Sequence, residues 1–158
     1  MRNCMALADI ANIAEIIGVI LVVVTLIFLT LQIQQNTRAL KATTTQNVMN
    51  GETAMMSVLV EHADVWDKIQ SGAPLTLGAE TRRAIVLFNL YMIETESRYH
   101  QYNIGYLDAE PWNGRLRTLP GVVCLPTFKT WRQSLGGQSH TAEFLQLLDS
   151  LVASSKEP

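Results

Sequence analysis

Charged residues are scarce in this sequence, and no run of basic residues is present. Lysine, arginine, aspartate and glutamate make up 16% of the 158 residues, against about 25% in an ordinary soluble domain. The formal net charge is −2, so the positive field that attracts nucleic acid is not expected. The low charge and the 48% hydrophobic content indicate that part of the chain lies in an apolar environment.

Cysteine is also rare, and the motifs of common catalytic and metal sites are missing. Cys4 and Cys124 are too few for a disulfide framework, and Cys124, between valine and leucine, is expected in the core. His100 follows Glu96 by four residues, a spacing that can hold a metal, but neither an HExxH motif nor a cysteine–histidine cluster occurs. No nucleophile elbow or phosphate-binding loop is present. We therefore expect no enzyme, no metal and no cofactor.

In place of charge, the chain has one long apolar run, IIGVILVVVTLIFLTLQI, which starts at Ile16. Its only polar residues are Thr25, Thr30 and Gln32. As a helix with a rise of about 1.5 Å per residue, the run spans about 27 Å, close to the ~30 Å hydrocarbon core of a bilayer. Strands are shorter, and a buried helix normally has a polar face. The run therefore predicts a transmembrane helix, with residues 1–35 as the anchor and its short flank.

The charges beside the apolar run predict a retained anchor and its orientation. Asp9 and Glu15 precede the run, where a cleaved signal peptide would carry positive charge. Arg38 and Lys41 follow the run, against Arg2 before it. Because lysine and arginine mark the cytoplasmic side of a membrane helix, the C-terminal part is expected in the cytoplasm.

One side of the predicted anchor differs from the rest. Alternating steps of four and three residues follow one side of a helix, and here they give a row that we call the anchor stripe: Ala11, Glu15, Gly18, Val22, Thr25, Leu29, Gln32 and Asn36. Small and polar residues on one face are what membrane helices use to associate. The stripe is therefore predicted to be the seam of a homo-oligomer. Alternatively it lines a pore, with Val22 and Leu29 as constrictions and Glu15 as a charged ring, or it belongs to a lone helix whose polar residues lie near the membrane surfaces.

The rest of the chain predicts a helical domain, because no strand or hairpin pattern occurs. Apolar residues recur at helical spacing through residues 36–70, which we interpret as a juxtamembrane helix with a break or kink expected at Asn50-Gly51. Residues 75–153 are predicted to form a small helical bundle, and residues 154–158 a frayed tail. The predicted fold class is all-α: a transmembrane helix, a juxtamembrane helix and a cytoplasmic bundle.

Capping residues divide the bundle into four predicted helices. Their start and end signals are Thr76 and Gly105, Asp108 and Leu119-Pro120-Gly121, Pro126 and Gly136-Gly137, and Thr141 and Ala153. Glu94 and Arg98 are four residues apart in the order that favours an ion pair. Trp66, Trp112 and Trp131 are expected in the core or close to the membrane surface.

Two stretches of the chain resemble a widespread group of uncharacterised small bacterial single-span membrane proteins. In that group an apolar span is followed by Gln-Ile-x-Gln-Asn-Thr-x-Ala-Leu-x-Ala, a motif that residues 32–42 match. Residues 99–108 match its Tyr-x-Gln-Tyr-x-x-Gly-x-Leu-Asp segment, and Trp112 follows. The resemblance runs from about Ala14 to the final helix and departs near residues 119–126. It implies a bacterial, single-span, all-helical protein and implies no activity.

Together these features predict a membrane-anchored, homo-oligomeric structural or interaction protein that assembles through its transmembrane helix. We expect it in the bacterial inner (plasma) membrane, with lipid and further copies of itself as its partners and without nucleic acid. The alternative is an ion channel or pore formed by a ring of the same helices.

Overall fold

The computed structural model describes residues 2–155, and within that range the protein is all-α, as predicted. Seven helices and no strand occur in the described residues. The helices are α1 (Arg2–Glu61), α2 (Ala63–Ser71), α3 (Ala79–Asn103), α4 (Ala109–Val123), α5 (Pro126–Gln133), α6 (Leu135–Gln138) and α7 (Ala142–Ser154). The long N-terminal helix holds the apolar run.

The contacts divide the chain into two compact units, Met1–Leu40 and Lys41–Pro158. The first unit is formed by the beginning of α1. The second contains the end of α1 together with α2 to α7. The division falls within residues 36–70, the segment that the sequence assigns to a juxtamembrane helix.

Helix α1 continues through Gly51, so a break of the chain, which is one of the two outcomes expected at Asn50-Gly51, does not occur there. A glycine inside a helix costs about 1 kcal/mol relative to alanine. In this helix Met55 and Leu59 follow one and two turns later and are both buried in the core of the second unit. Their packing outweighs the weak helix propensity of the glycine, and α1 ends only at Glu61.

Aromatic and aliphatic side chains from the end of α1 and from α2, α3, α4, α5 and α7 form the core of the second unit. Its largest fully buried members are Trp131, Phe88, Phe144, Ile69, Met92, Leu119, Leu148 and Val65. The rings of Phe88 and Trp131 lie 5.5 Å apart between their centroids. Trp112 is also buried and Trp66, which is partly buried, packs against the core, so of the two expected places for the tryptophans the structure shows the core.

Helix α3 begins later than the sequence predicted. Gly78 occupies the N-cap position, and Thr76 lies outside the helix. The backbone N–H of Thr76 donates a hydrogen bond of 2.5 Å to the carboxylate of Glu80, so a side chain from the first turn organises the loop. The predicted stop at Gly105 is confirmed, since this glycine adopts a φ of 78° that other residues rarely adopt.

Helix α4 runs through the predicted turn at Leu119-Pro120-Gly121 and ends at Val123. Proline inside a helix removes a hydrogen bond and costs about 3 kcal/mol. Leu119 and Val123 both point into the core and are almost fully buried. Packing of the last turn therefore overrides the turn signal. The next residue, Cys124, is exposed, so its predicted place in the core is wrong.

The Gly136-Gly137 pair lies inside the short helix α6 instead of closing α5. A Cβ on Gly137 would lie 2.3 Å from the backbone oxygen of Trp131, which is far inside contact distance. A Cβ on Gly136 would lie 2.8 Å from the side-chain oxygen of Asn89. The two glycines therefore allow α6 to approach α5 and α3 closely, and Ser134 caps the helix by accepting from Gly137.

The remaining helix starts agree with the sequence. Pro126 lies in the first turn of α5, and Thr141 caps α7 by accepting from the backbone of Phe144. Asp108 occupies the N-cap of α4 without a side-chain capping bond, and it accepts instead from Lys41 at 3.2 Å. Helix α7 ends at Ser154. Residues 156–158 of the predicted tail lie outside the described residues.

Candidate functional site

The apolar run forms a helical segment whose side chains are all exposed. From residue 10 to residue 40 every residue of the first unit is exposed. A window of 18 residues in this helix has a mean hydropathy of 2.9 and no buried residue. Within the described residues, this is the one helix that is long and apolar enough to cross a membrane.

All eight residues of the anchor stripe lie on this exposed helical segment. The hydroxyl of Thr25 donates to the backbone oxygen of Leu21 at 2.7 Å, and that of Thr30 donates to Leu26 at 2.8 Å. The hydroxyl protons of both threonines are thus hydrogen-bonded within the helix, while the hydroxyl oxygens remain able to accept a further hydrogen bond. A Cβ added at Gly18 would meet nothing within 4 Å. The role of the stripe as a seam stays a prediction.

The second unit contains a cluster of two glutamates and two arginines, which we call the ion cluster; three of its side chains are 10% exposed or less, and Glu52 is 44% exposed at its edge. Arg98 binds Glu94, the predicted pair, and also Glu52 at 2.6 Å. Arg115 reaches Glu94 at 2.7 Å. The two arginine side chains are each 8% exposed, so the positive charges are balanced almost out of contact with water.

The ion cluster joins three helices, because Glu52 belongs to α1, Glu94 and Arg98 to α3, and Arg115 to α4. The guanidinium of Arg115 also lies 4.7 Å above the ring of Tyr91, a distance that gives a cation–π attraction. The sequence could indicate only the Glu94–Arg98 pair, because the other two partners come from distant parts of the chain.

Hydrogen bonds favour the charged forms of Glu52 and Arg98 in the ion cluster. The hydrogen bond from Arg98 lowers the pKa of Glu52. Burial by itself would lower the pKa of Arg98, but the hydrogen bonds to Glu52 and Glu94 raise it. The cluster is complete in itself, and no further ligand is needed to neutralise it. We assign it a structural role.

A second polar cluster surrounds His140, whose side chain is 1% exposed. Its Nδ1 lies 2.6 Å from Glu96, and its Nε2 lies 3.2 Å from the side-chain oxygen of Asn89. The indole N–H of Trp131 donates to the same oxygen at 3.0 Å, which fixes the orientation of the Asn89 amide. Both histidine nitrogens therefore face acceptor oxygens.

Glu96 also anchors the start of α7. Its carboxylate accepts from the backbone N–H of Thr141 at 2.7 Å and from the hydroxyl of the same residue at 2.6 Å. Burial alone would raise the pKa of Glu96, but these hydrogen bonds and the one to His140 lower it. The possible pairing of Glu96 with His100 is replaced by the pairing with His140. In the part of the chain that the structure describes, no three metal-ligating side chains come together.

An open groove of about 410 Å³ lies between the end of α1 and α3 in the second unit. Val48, Met55 and Val58 contribute its apolar wall on α1, and Leu90 and Ile93 do so on α3. Its one charged lining residue, Glu94, is already paired with two arginines. The groove therefore offers apolar contact and no reactive group.

Comparison of the chain with known protein families, with curated proteins and with solved structures found no match. Function is therefore inferred from the exposed surfaces of the two units. Of these, the fully exposed apolar segment of α1 departs furthest from what a water-soluble protein can present.

Proposed function

We propose that the protein is a membrane-anchored, homo-oligomeric interaction protein without enzymatic activity. The observation that supports the anchor is the exposure of its apolar side chains. Sixteen large aliphatic or aromatic side chains between Ile10 and Ile33 are each about half exposed or more. Moving such side chains out of water is favourable by about 1.5–3 kcal/mol each when burial is complete. A hydrocarbon environment removes this penalty.

The backbone and the hydroxyl groups of this segment suit a bilayer. A helix satisfies its own backbone hydrogen bonds, which is a requirement for crossing the hydrocarbon core. The hydroxyls of Thr25 and Thr30 bond to backbone oxygens of the same helix. No proton donor of these two side chains is left without a bond in lipid.

The flanking charges support an orientation with the helical domain in the cytoplasm. Arg38 and Lys41 follow the apolar run, and basic residues favour the cytoplasmic side. We place the protein in the bacterial plasma membrane because of the resemblance carried by residues 32–42.

A fractionation experiment tests the anchor. Full-length protein expressed in bacteria should stay in the membrane fraction after an alkaline wash and should leave it only with detergent. A reporter fused to the C-terminus that is active only in the cytoplasm should be active. Release by the wash would contradict the anchor, and an inactive reporter would contradict the orientation.

The anchor stripe supports the homo-oligomer, because close approach of two helices requires small residues at their contact. Gly18→Leu should lower the oligomer mass that light scattering measures in mild detergent. Val19→Leu is the matched control, since Val19 is exposed next to Gly18 but lies off the stripe. A monomeric wild-type protein, or equal masses for both variants, would count against the seam.

Particle images of the same sample distinguish the channel alternative. A closed ring with a water-filled lumen lined by the stripe would favour a pore. Single-channel recording of the wild type and of Glu15→Gln would then test it, since a charged ring controls conductance. The lack of current in both proteins would exclude the pore and leave the interaction protein.

A further inference from the structure

One side of the α1 segment in the second unit carries no charge. Between Lys41 and Glu61 the only charged residue is Glu52, and it binds Arg98 in the ion cluster. On the side away from the core lies a row that we call the uncharged ridge: Ala42, Gln46, Met49, Thr53, Met56 and Val60. All six are exposed, and they cover about five helical turns.

The ridge differs from the solvent-facing sides of α3 and α7 in the second unit. Arg82 and Arg83 are exposed on α3, and Glu143 and Asp149 are exposed on α7. Charged residues of this kind are the usual covering of a helix that faces water. On the ridge, by contrast, Met49 is 63%, Met56 49% and Val60 71% exposed. Such a surface is suited to contact with another apolar surface.

We propose that the uncharged ridge packs, in parallel and in register, against the same ridge of a second copy of the chain. This inference depends on the proposed homo-oligomer and names a contact surface for it in the second unit. Its members alternate at steps of four and three residues, the spacing of a helix–helix seam. In a parallel pair each residue lies near its own counterpart, where like charges would repel. The absence of charge makes the ridge complementary to itself.

The ridge keeps only half of the sequence repeat of the anchor stripe. Gln46 and Thr53 follow Thr25 of the stripe by whole multiples of seven residues, whereas the ridge residues Met49 and Met56 do not. Copies anchored in one membrane with the same orientation present their ridges in parallel. A short helical pair is marginal between free molecules, but anchoring raises the effective concentration of the second contact. The ridge is therefore expected to pair only in the full, membrane-bound chain.

Cysteine crosslinking of full-length protein in native membranes tests this contact. Cys4 and Cys124 are first replaced by serine, and single cysteines are then introduced by Met49→Cys and Met56→Cys. Asn47→Cys and Ala54→Cys are the matched controls, because both positions are exposed on the same helix but line the groove side. A disulfide needs Cα atoms within about 7 Å of each other, so only positions at a contact crosslink efficiently. Thr25→Cys reports on the anchor stripe.

We expect a disulfide-linked dimer for both ridge variants and the loss of that dimer for both groove-side variants. Dimers at Asn47 and Ala54 but not on the ridge would overturn the proposal and assign the contact to the groove. A dimer at Thr25 alone would also overturn it while the proposed homo-oligomer stands. No dimer at any position, together with a monomer mass in detergent, would overturn both.

Discussion

Phe28 and Phe88 are the same amino acid in opposite environments. Phe28 in the first unit is 60% exposed, whereas Phe88 in the second unit is fully buried. The same contrast holds between Leu21, which is 61% exposed in the first unit, and Leu119, which is fully buried in the second. Apolar residues lie inside where the surroundings are water and outside where the surroundings are lipid. This contrast is the one that the proposed membrane anchor requires of a unit in lipid and a unit in water.

Polar groups follow the same division. In the first unit the hydroxyl of Thr25 bonds only to its own helix. In the second unit Thr141 binds the carboxylate of Glu96 and caps α7, and the charges of Glu94 and Arg98 meet in the ion cluster. These side-chain hydrogen bonds thus stay within one helix in the first unit, whereas in the second unit they join separate helices.

The strongest test of the contrast is an aromatic truncation in each unit. Trp131→Ala should destabilise the second unit by about 3–5 kcal/mol, because it removes a fully buried ring. Phe28→Ala should change the stability of the second unit by less than about 0.5 kcal/mol, because substitutions at exposed positions usually have small effects. Urea unfolding followed by circular dichroism in detergent measures both. Similar losses of unfolding free energy for the two variants would contradict the contrast between the two units.

Removing one charge from the ion cluster should have the next largest effect. Glu94→Gln leaves Arg98 and Arg115 buried with fewer partners, and we expect a loss of about 2–3 kcal/mol in the free energy of unfolding. The control is Asp108→Asn, which weakens the exposed pair with Lys41 and should cost about 1 kcal/mol or less. If Glu94→Gln is as mild as the control, the cluster contributes little to stability.

The cap of α7 offers a smaller test. Thr141→Ala removes both the capping oxygen and a hydrogen bond to Glu96, so the unfolding free energy should fall by about 1 kcal/mol. Thr141→Ser keeps the hydroxyl and should restore most of that loss. Thr25→Ala in the first unit is expected to leave the unfolding of the second unit unchanged, since its hydrogen bond is local.

Acid should weaken the second unit through Glu52 and Glu96, whose pKa values are both lowered from an ordinary 4.5. A carboxylate with a lowered folded-state pKa stabilises the fold above its ordinary pKa, and the stabilisation disappears as the pH falls through the folded value. Urea midpoints should therefore fall as the pH is lowered below about 5. Glu96→Gln should flatten this dependence, whereas Glu143→Gln, at an exposed position of α7, should not. An unchanged slope in Glu96→Gln would contradict the assignment.

Local sequence signals predicted much of the fold. The run from Ile16 is helical and exposed, the stop at Gly105 and the cap at Thr141 occur where the pattern indicated, and the Glu94–Arg98 pair forms. Each of these depends on residues within about one helical turn of each other or on the length of one apolar run. Such features are present in the chain before any packing.

The helix ends predicted from the sequence are wrong where packing between distant residues outweighs a local signal. Gly51 and Pro120 remain inside helices because their neighbours Met55 and Leu119 reach the core. The Gly136-Gly137 pair is required by contact with Trp131 and Asn89 and does not mark a helix end. These contacts form only when the helices pack together, so no local sequence pattern indicates them.

The sequence by itself thus determined the all-α class, the apolar run and the composition of the anchor stripe, since these follow from residue type and spacing. Only the tertiary structure decided that Glu52 and Arg115 complete the ion cluster and that His140, not His100, binds Glu96. The physical reason is that helix formation is local, whereas charge pairing and burial depend on which helices meet. The uncharged ridge depends on both the sequence and the tertiary structure, because the sequence supplies its spacing and the fold leaves it exposed.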